Sequence, residues 1–136
     1  MTEIAFTVEG QPVSKQSFRY ARTGGYTDHN VRDWQNMVSW AAKQAMHGKL
    51  PMKCAVMVRM VFYLKDKRRV DLDNLAKGVN DGMRGIIFMD DSQIVHLDLV
   101  KTISPHPEVY VHVTDGEAPA EELAMTMEIY DTMEAI

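Results

Sequence analysis

The fold is decided by the stretch Ala55-Val56-Met57-Val58-Arg59-Met60-Val61-Phe62-Tyr63-Leu64. It is rich in valine, methionine and phenylalanine, which is the composition of a mostly buried strand. A charged excursion follows at residues 65–69, and the chain becomes apolar again at Val70. The sequence therefore predicts a buried strand that is followed by a solvated segment.

The residues before this stretch form three simpler patterns. Ile4, Phe6 and Val8 alternate with less apolar residues, which predicts a short strand. Residues 11–29 show no clear period and are predicted to be one long loop. A helix is predicted from Val31 to His47, because apolar residues recur there at helical spacing and Gly48 follows.

The residues after the stretch complete the predicted fold. A second helix is expected from Asp73 or Asn74 to about Arg84. Two strands are expected over residues 93–101 and 108–114, joined as a hairpin, and a last helix is expected to start at Pro119. The order β-α-β-α-β-β plus a C-terminal helix indicates an α+β fold, a single domain in which helices pack on a small mixed β-sheet.

Length and composition are those of one ordinary globular domain. The chain has 136 residues, of which 46% are hydrophobic and 25% charged. No apolar run is long enough to cross a bilayer, and the N-terminus lacks the basic start of a signal peptide. The single cysteine, Cys54, excludes an internal disulfide and fits a reducing compartment. We therefore expect a cytoplasmic protein without a membrane partner.

Charge is distributed unevenly along the chain. The net charge is −4, but all 15 lysines and arginines lie between Lys15 and Lys101 together with only nine aspartates, so this segment is +6. The residues after Lys101 carry −8. A basic body with an acidic tail can offer a polyanion a surface that the overall charge conceals. The same asymmetry is also common in proteins that bind nothing.

A group of carboxylates and one lysine carries the candidate chemistry. If the backbone is extended at Asp71 and Asp73, both carboxylates point to one face and can reach one divalent cation. A helix that starts there places Lys77 one turn further on, facing the same way. Asp90 and Asp91 fall in the turn before the next strand, and Asp91 joins the pair if that strand lies beside the one leading into Asp71.

Such a set of oxygen ligands has a defined chemistry. Oxygen-only ligands select Mg²⁺ or Mn²⁺ over softer metals. The metal would activate water and neutralise charge at phosphorus, while Lys77 would support the developing negative charge. The structural alternatives are that Asp73 and Asn74 cap the helix, that Asp73, Lys77 and Asp81 form surface ion pairs, and that Asp90-Asp91 is only a turn.

The linear motif is similar to that of a known enzyme family. The run Arg69-Val70-Asp71-Leu72-Asp73-Asn74-Leu75-Ala76-Lys77, followed by Met89-Asp90-Asp91-Ser92-Gln93-Ile94, resembles the signature of the RusA family of Holliday junction resolvases. The run Phe6-Thr7-Val8-Glu9-Gly10-Gln11-Pro12-Val13-Ser14-Lys15 resembles that family's opening strand and loop. The chain departs from the pattern at Gly78, which weakens a helix by roughly 1 kcal/mol relative to alanine.

The resemblance implies a homodimeric, Mg²⁺-dependent endonuclease, with Mn²⁺ as a substitute. It would resolve four-way DNA junctions by paired symmetric nicks in recombination and repair. Asp71, Asp73 and Asp91 match the metal-binding carboxylates and Lys77 the catalytic lysine, with Asp90 as the alternative to Asp91. We predict a nuclease domain over residues 1–114 and an acidic C-terminal helical extension over residues 115–136.

Basic residues in two segments are the candidate DNA contacts. They are Lys15, Arg19 and Arg22 in the N-terminal segment, and Lys67, Arg68 and Arg69 directly before the aspartates. Three other functions stay open. They are an endonuclease of broader branched-DNA specificity, a non-catalytic junction-binding protein with structural carboxylates, and a protein-binding module that works through the acidic tail.

Overall fold

The computed structural model describes residues 2–14, 18–21, 24–27, 29–66 and 70–116. Its strands are Glu3–Glu9 (β1), Phe18–Ala21 (β2), Gly24–Thr27 (β3), Val56–Leu64 (β4), Ile94–Ile103 (β5) and Glu108–Asp115 (β6). Its helices are His29–Met46 (α1) and Leu72–Met83 (α2). Neither of these two helices combines the length and apolar character that spanning a membrane requires. The α+β fold class, with helices on a small mixed sheet, is confirmed.

β4 lies at the centre of the main sheet, whose strand order is β1-β6-β4-β5. β6 runs antiparallel to β4, and β5 runs parallel to it. The predicted β5–β6 hairpin is therefore wrong, because β4 lies between the two strands. The segment that joins them crosses the end of β4, where the Ser104 N–H donates to the Leu64 carbonyl at 2.8 Å. Alternate side chains of β4 are buried, and this strand takes the most protected place in the sheet.

The two helices cover one face of the sheet and close the hydrophobic core. The inner face of α2 is formed by Leu75, Val79 and Met83, which are fully buried, as the sequence predicts. α1 contributes a buried stripe at helical spacing, formed by Val31, Trp34, Val38, Ala42 and Met46. Except for Val31, these side chains pack against the alternate buried residues of β1, β4 and β6 in one cluster.

The helices are in tight contact at Gly82 of α2. A Cβ atom at this position would lie 2.7 Å from Cγ1 of Val38, which is closer than carbon atoms pack. The Ser39 hydroxyl donates to the Gly82 carbonyl at 2.7 Å across the same contact. At Gly78, a Cβ atom would lie 3.3 Å from the Val13 carbonyl oxygen. Both glycines therefore have a packing reason to stand inside the helix.

Two predictions concern segments at the ends of the chain. The long loop predicted over residues 11–29 is wrong in its second half, where β2 and β3 form a separate antiparallel two-stranded sheet. Strands of four residues are too short to show a periodic pattern. The helix predicted from Pro119 lies outside the described residues. So does the acidic extension, apart from Asp115 at the end of β6 and the adjacent Gly116.

Candidate active site

Asp71 stands directly before α2, with extended backbone angles of φ −74° and ψ 131°. Its exposed side chain makes no capping hydrogen bond to the helix, and its Oδ2 accepts from the Asn74 side-chain amide at 3.3 Å. The strand predicted to run into Asp71 is absent from the described residues, because β4 already ends at Leu64. The carboxylate is therefore held at a helix entrance and still faces solvent.

Asp73 and Lys77 lie on α2 itself, one turn apart, and both are exposed. The helix begins at Leu72, so Asp73 falls in its first turn, where the partial positive charge of the helix terminus stabilises carboxylates. Asp71 and Asp73 thus lie at the N-terminal end of α2, and Lys77 follows one turn after Asp73. Two carboxylates and an ammonium group therefore stand within seven residues of sequence.

Lys101 of β5 fixes this end of the helix to the sheet. Its Nζ donates to the Val70 carbonyl, immediately before Asp71, at 2.9 Å. Sequence reasoning missed this residue, because nothing local links two positions 31 residues apart. The contact shows that Asp71 lies beside the C-terminal part of β5.

Asp91 lies at the other end of the same layer. It opens the 3₁₀ helix Asp91–Gln93 directly before β5, and β5 begins beside Val56, the first residue of β4. Since β4 and β5 are parallel and α2 connects them, the helix runs from the end of β4 back toward its start. The 12-residue helix is about 18 Å long. Within one subunit, Asp91 is therefore separated from Asp71 and Asp73.

The described residues contain no group of three or more His, Cys, Asp or Glu side chains that could hold a metal ion. This agrees with the separation of Asp91 from the other two carboxylates. The donor types nevertheless suit a hard cation, because Asp71 and Asp73 present exposed carboxylate oxygens at one helix end. The metal-ligand assignment stays a prediction, and in one subunit two of its three carboxylates stand two residues apart at the helix entrance.

The Gln93 side chain holds the Asp91 turn in place. Its Nε2 donates to the Met52 and Cys54 carbonyls at 2.8 and 2.9 Å, and its Oε1 accepts the N–H groups of Met89 and Asp90 at 2.8 and 2.9 Å. All four hydrogen-bonding positions of the amide are used. The turn that carries Asp91 is thereby tied to the segment that leads into β4.

Asp90 and Asp91 differ in their surroundings, which bears on the choice between them. Asp90 caps the 3₁₀ helix by accepting from the Ser92 N–H at 3.0 Å, and it lies 3.2 Å from an Arg84 guanidinium nitrogen. The Ser92 hydrogen bonds are the main cause that lowers the pKa of Asp90, and Arg84 acts in the same direction. The ionised Asp90 carboxylate therefore stabilises this turn at neutral pH, and the stabilisation is lost as the pH falls through the lowered pKa.

Single substitutions of Asp90 and Asp91 distinguish a structural role from a catalytic one. We expect Asp90→Asn to retain most of the cleavage rate, because asparagine caps helices as well as aspartate does. We expect Asp91→Asn to lower cleavage on the order of 100-fold or more, as loss of an electrostatic stabiliser does. Mn²⁺ titration and single-turnover cleavage of a DNA junction measure both effects. A full loss with Asp90→Asn and none with Asp91→Asn would reverse the assignment.

The candidate DNA contacts fall mostly outside the described residues. Lys15, Arg22 and the run Lys67-Arg68-Arg69 lie there, and Arg19 lies in β2 with a side chain that the structure does not describe. Their role in DNA binding stays a prediction. Within the described part, the exposed Lys77 and Lys101 add positive charge near Asp71.

Comparison with known proteins extends over the same residues. The family model of endodeoxyribonuclease RusA matches residues 9–114. The crossover junction endodeoxyribonuclease RusA of Escherichia coli (strain K12) is 26% identical over 102 residues, which cover 74% of this chain and 84% of that protein. The RusA of Shigella sonnei (strain Ss046) gives the same values. The uncharacterized protein YqaN of Bacillus subtilis (strain 168) is 38% identical over 55 residues, which cover 40% of this chain and 39% of that protein. Since the family model spans both ends of α2 and all of β4 and β5, the chain belongs to the RusA family of endodeoxyribonucleases.

Proposed function

We propose that this protein is a Mg²⁺-dependent endodeoxyribonuclease that resolves four-way DNA junctions by paired symmetric nicks. Its setting would be recombination and repair in the cytoplasm, and its working form a homodimer. Relatives that span most of this chain are named crossover junction endodeoxyribonucleases. The observation that carries the proposal is that Asp71 and Asp73 stand exposed at the N-terminal end of α2, with the exposed Lys77 one turn further on.

Each of these residues has a role in the proposed chemistry. Asp71 and Asp73 would hold Mg²⁺, or Mn²⁺ in its place. The ion, when bound, supplies an activated water and neutralises charge at the scissile phosphate. The Asn74 amide donates to the Asp71 carboxylate, which makes no hydrogen bond to the helix amides. Lys77 would place its ammonium group against the charge that develops on the phosphoryl oxygens.

The third carboxylate points to the homodimer. Asp91 lies at the opposite end of β5 from Asp71 and Asp73 within one subunit. A two-fold axis can place two copies in opposite directions, so that one end of a strand in one copy lies beside the other end of the same strand in its partner. We therefore propose that Asp91 of the partner subunit completes each metal site, and that a dimer carries two such sites, one for each nicked strand.

The DNA would be held chiefly by positive charge around these sites. Lys15, Arg19, Arg22 and the run Lys67-Arg68-Arg69 are the proposed phosphate contacts, the last because it directly precedes the aspartates in sequence. Neutralising several phosphates makes binding strongly dependent on salt. Binding is expected to persist without metal, since these contacts do not involve the carboxylates.

A cleavage assay with defined substrates tests the proposal. Purified full-length protein is given a synthetic four-way junction, a fork, a flap and a linear duplex of matched sequence, with Mg²⁺ or with EDTA. We expect paired nicked duplexes from the junction with Mg²⁺, no cutting with EDTA, and junction binding under both conditions. Equal cutting of all branched substrates would indicate the broader specificity. Binding without metal-dependent cutting would contradict catalysis.

A further inference from the structure

The outer face of α1 exposes a patch of apolar side chains. Trp40 is 66% exposed, and Met37, three residues before it, is 47% exposed. Side chains three apart on a helix are neighbours, and the exposed Lys43 continues the same row. Met37, Trp40 and Lys43 together are named the outer patch of α1. A tryptophan exposed to this extent beside a second apolar side chain indicates a contact surface.

α1 ends in positive charge at the end of the sheet where β4 begins. Gly78 of α2 lies against Trp34 of α1, and one turn later Gly82 lies against Val38. The two helices are therefore parallel, and α1, like α2, runs toward the start of β4. Residues 43–53, which include the last turn of α1, contain three exposed lysines and no Asp, Glu or Arg.

The acidic tail, residues 117–136, leaves the sheet at this same end. The Gly116 N–H donates to the Ala55 carbonyl at 3.0 Å, directly before β4 begins. α1 also leads into β4, through residues 47–55. The tail therefore starts close to the lysines that follow α1.

We propose that the acidic tail folds back along α1 as a helix and covers the outer patch. The tail contains six Asp and Glu residues and no Lys or Arg, so its charge is opposite to that of residues 43–53. Glu117, Glu121 and Glu122 come first, where the chain leaves the sheet beside the lysines. Acidic residues in the first turn of a helix are also stabilised by the helix dipole. Docking of the tail does not depend on the metal site.

The tail also matches the outer patch in apolar character and in length. Leu123, Met127 and Tyr130 recur at the spacing of one helix face. They follow the first glutamates, so a helix that runs back along α1 carries them toward Trp40. Residues 119–136 are as many as the 18 residues of α1, and as a helix they would be equally long, about 27 Å.

The open face of the sheet is a poorer match for the tail. Arg59 of β4 donates to Asp98 of β5 there at 2.9 Å. His112 of β6 pairs with Glu3 of β1 on the same face. A helix on this face would have to bury both pairs, and removing paired charges from water costs free energy. The outer patch of α1 holds a single charge, which is opposite to that of the tail.

Tryptophan fluorescence tests the contact in the full-length protein. The chain has two tryptophans, of which Trp34 is buried, so acrylamide quenching reports chiefly on Trp40. Trp40→Phe gives the background from Trp34. We expect shielding of Trp40 in the wild type, and an increase of about two-fold in its quenching constant with Leu123→Glu, because the ring loses its apolar cover. Ala124→Glu adds the same charge on the polar side of the predicted helix and should change nothing.

Three results of this experiment would overturn the contact, once circular dichroism shows that both variants are folded. The first is free access of acrylamide to Trp40 in the wild type. The second is a quenching constant that Leu123→Glu leaves unchanged. The third is an equal increase with Ala124→Glu, since the apolar side of the tail would then not be what covers the ring.

Zero-length cross-linking identifies what covers the patch. A carbodiimide joins a lysine amine to a carboxylate in direct contact, so the unmodified sequence is used. Unlabelled and ¹⁵N-labelled chains are mixed and allowed to exchange subunits. We expect links from Lys43, Lys49 or Lys53 to tail glutamates, in peptide pairs of one isotope. Pairs of mixed isotope would place the tail on a second copy. Links only to Lys77 or Lys101 would place it over the candidate active site, and either result overturns the proposal.

Discussion

An equal mixture of Asp73→Asn and Asp91→Asn subunits is expected to cleave a four-way junction that neither variant cleaves alone. In a mixed dimer, one site combines the intact Asp71 and Asp73 of the second variant with the intact Asp91 of the first. The other site carries both substitutions. Random pairing makes about half of the dimers mixed, so about a quarter of the wild-type number of sites is restored. Single-strand nicking after subunit exchange, measured with each strand labelled in turn, gives this fraction.

The control for this experiment removes two residues from the same half-site. A mixture of Asp71→Asn and Asp73→Asn subunits leaves every site without one ligand, so no activity should return. Differently tagged subunits, recovered together, show that mixed dimers have formed. If mixed dimers of Asp73→Asn and Asp91→Asn form and remain inactive, the carboxylates do not act across the interface. Each variant alone should lose on the order of 100-fold or more in rate.

Replacing Gly82 with alanine is expected to destabilise the fold by about 2 kcal/mol, within the range for overpacking a core. The added carbon would lie 2.7 Å from Cγ1 and 2.8 Å from Cβ of Val38, and 3.1 Å from the Gln35 carbonyl oxygen. Val38 is fully buried and β-branched, so it has no free rotation with which to yield. Thermal unfolding should show a fall in Tm of roughly 5–10 °C.

Two further variants check that the loss comes from this contact. Gly78→Ala would place its Cβ 3.3 Å from the Val13 carbonyl oxygen and at ordinary contact distance, 3.8 Å, from the Trp34 ring. Alanine also gains about 1 kcal/mol of helix propensity, so the net effect should be small. Val38→Ala removes the nearer of the clashing atoms, and Gly82→Ala should cost less in that background. Equal losses for Gly82→Ala with and without Val38→Ala would contradict the explanation.

Local patterns in the sequence predicted much of the fold. The apolar content of residues 55–64 predicted the buried β4, and the spacing of Leu75, Val79 and Met83 predicted the buried face of α2. The pairing of strands was predicted less well. β5 and β6 look like a hairpin because few residues join them, yet both pair with β4. Which neighbour a strand takes depends on the whole sheet, and no local pattern contains it.

The candidate site, like the fold, was predicted well where it depends on local sequence and less well where it depends on strand pairing. Asp71, Asp73 and Lys77 lie within seven residues, so helix geometry was enough to gather them. The backbone at Asp71 was expected to belong to a strand, and it is instead the extended residue before a helix. Asp91 was expected beside the pair on the condition that two strands were neighbours. They are neighbours, but they run parallel, and a parallel crossover sends consecutive turns to opposite ends of a sheet.

The parallel course of β4 and β5 has a consequence for the geometry of the cut DNA. If each catalytic centre combines Asp71 and Asp73 of one subunit with Asp91 of the other, the two centres are spaced by the distance between these groups within one subunit. That distance is about the length of β5, roughly 30 Å. A hydrogen-bonded strand does not stretch, so this spacing is fixed. A junction would have to bend its arms until the distance between the two scissile phosphates equals that spacing.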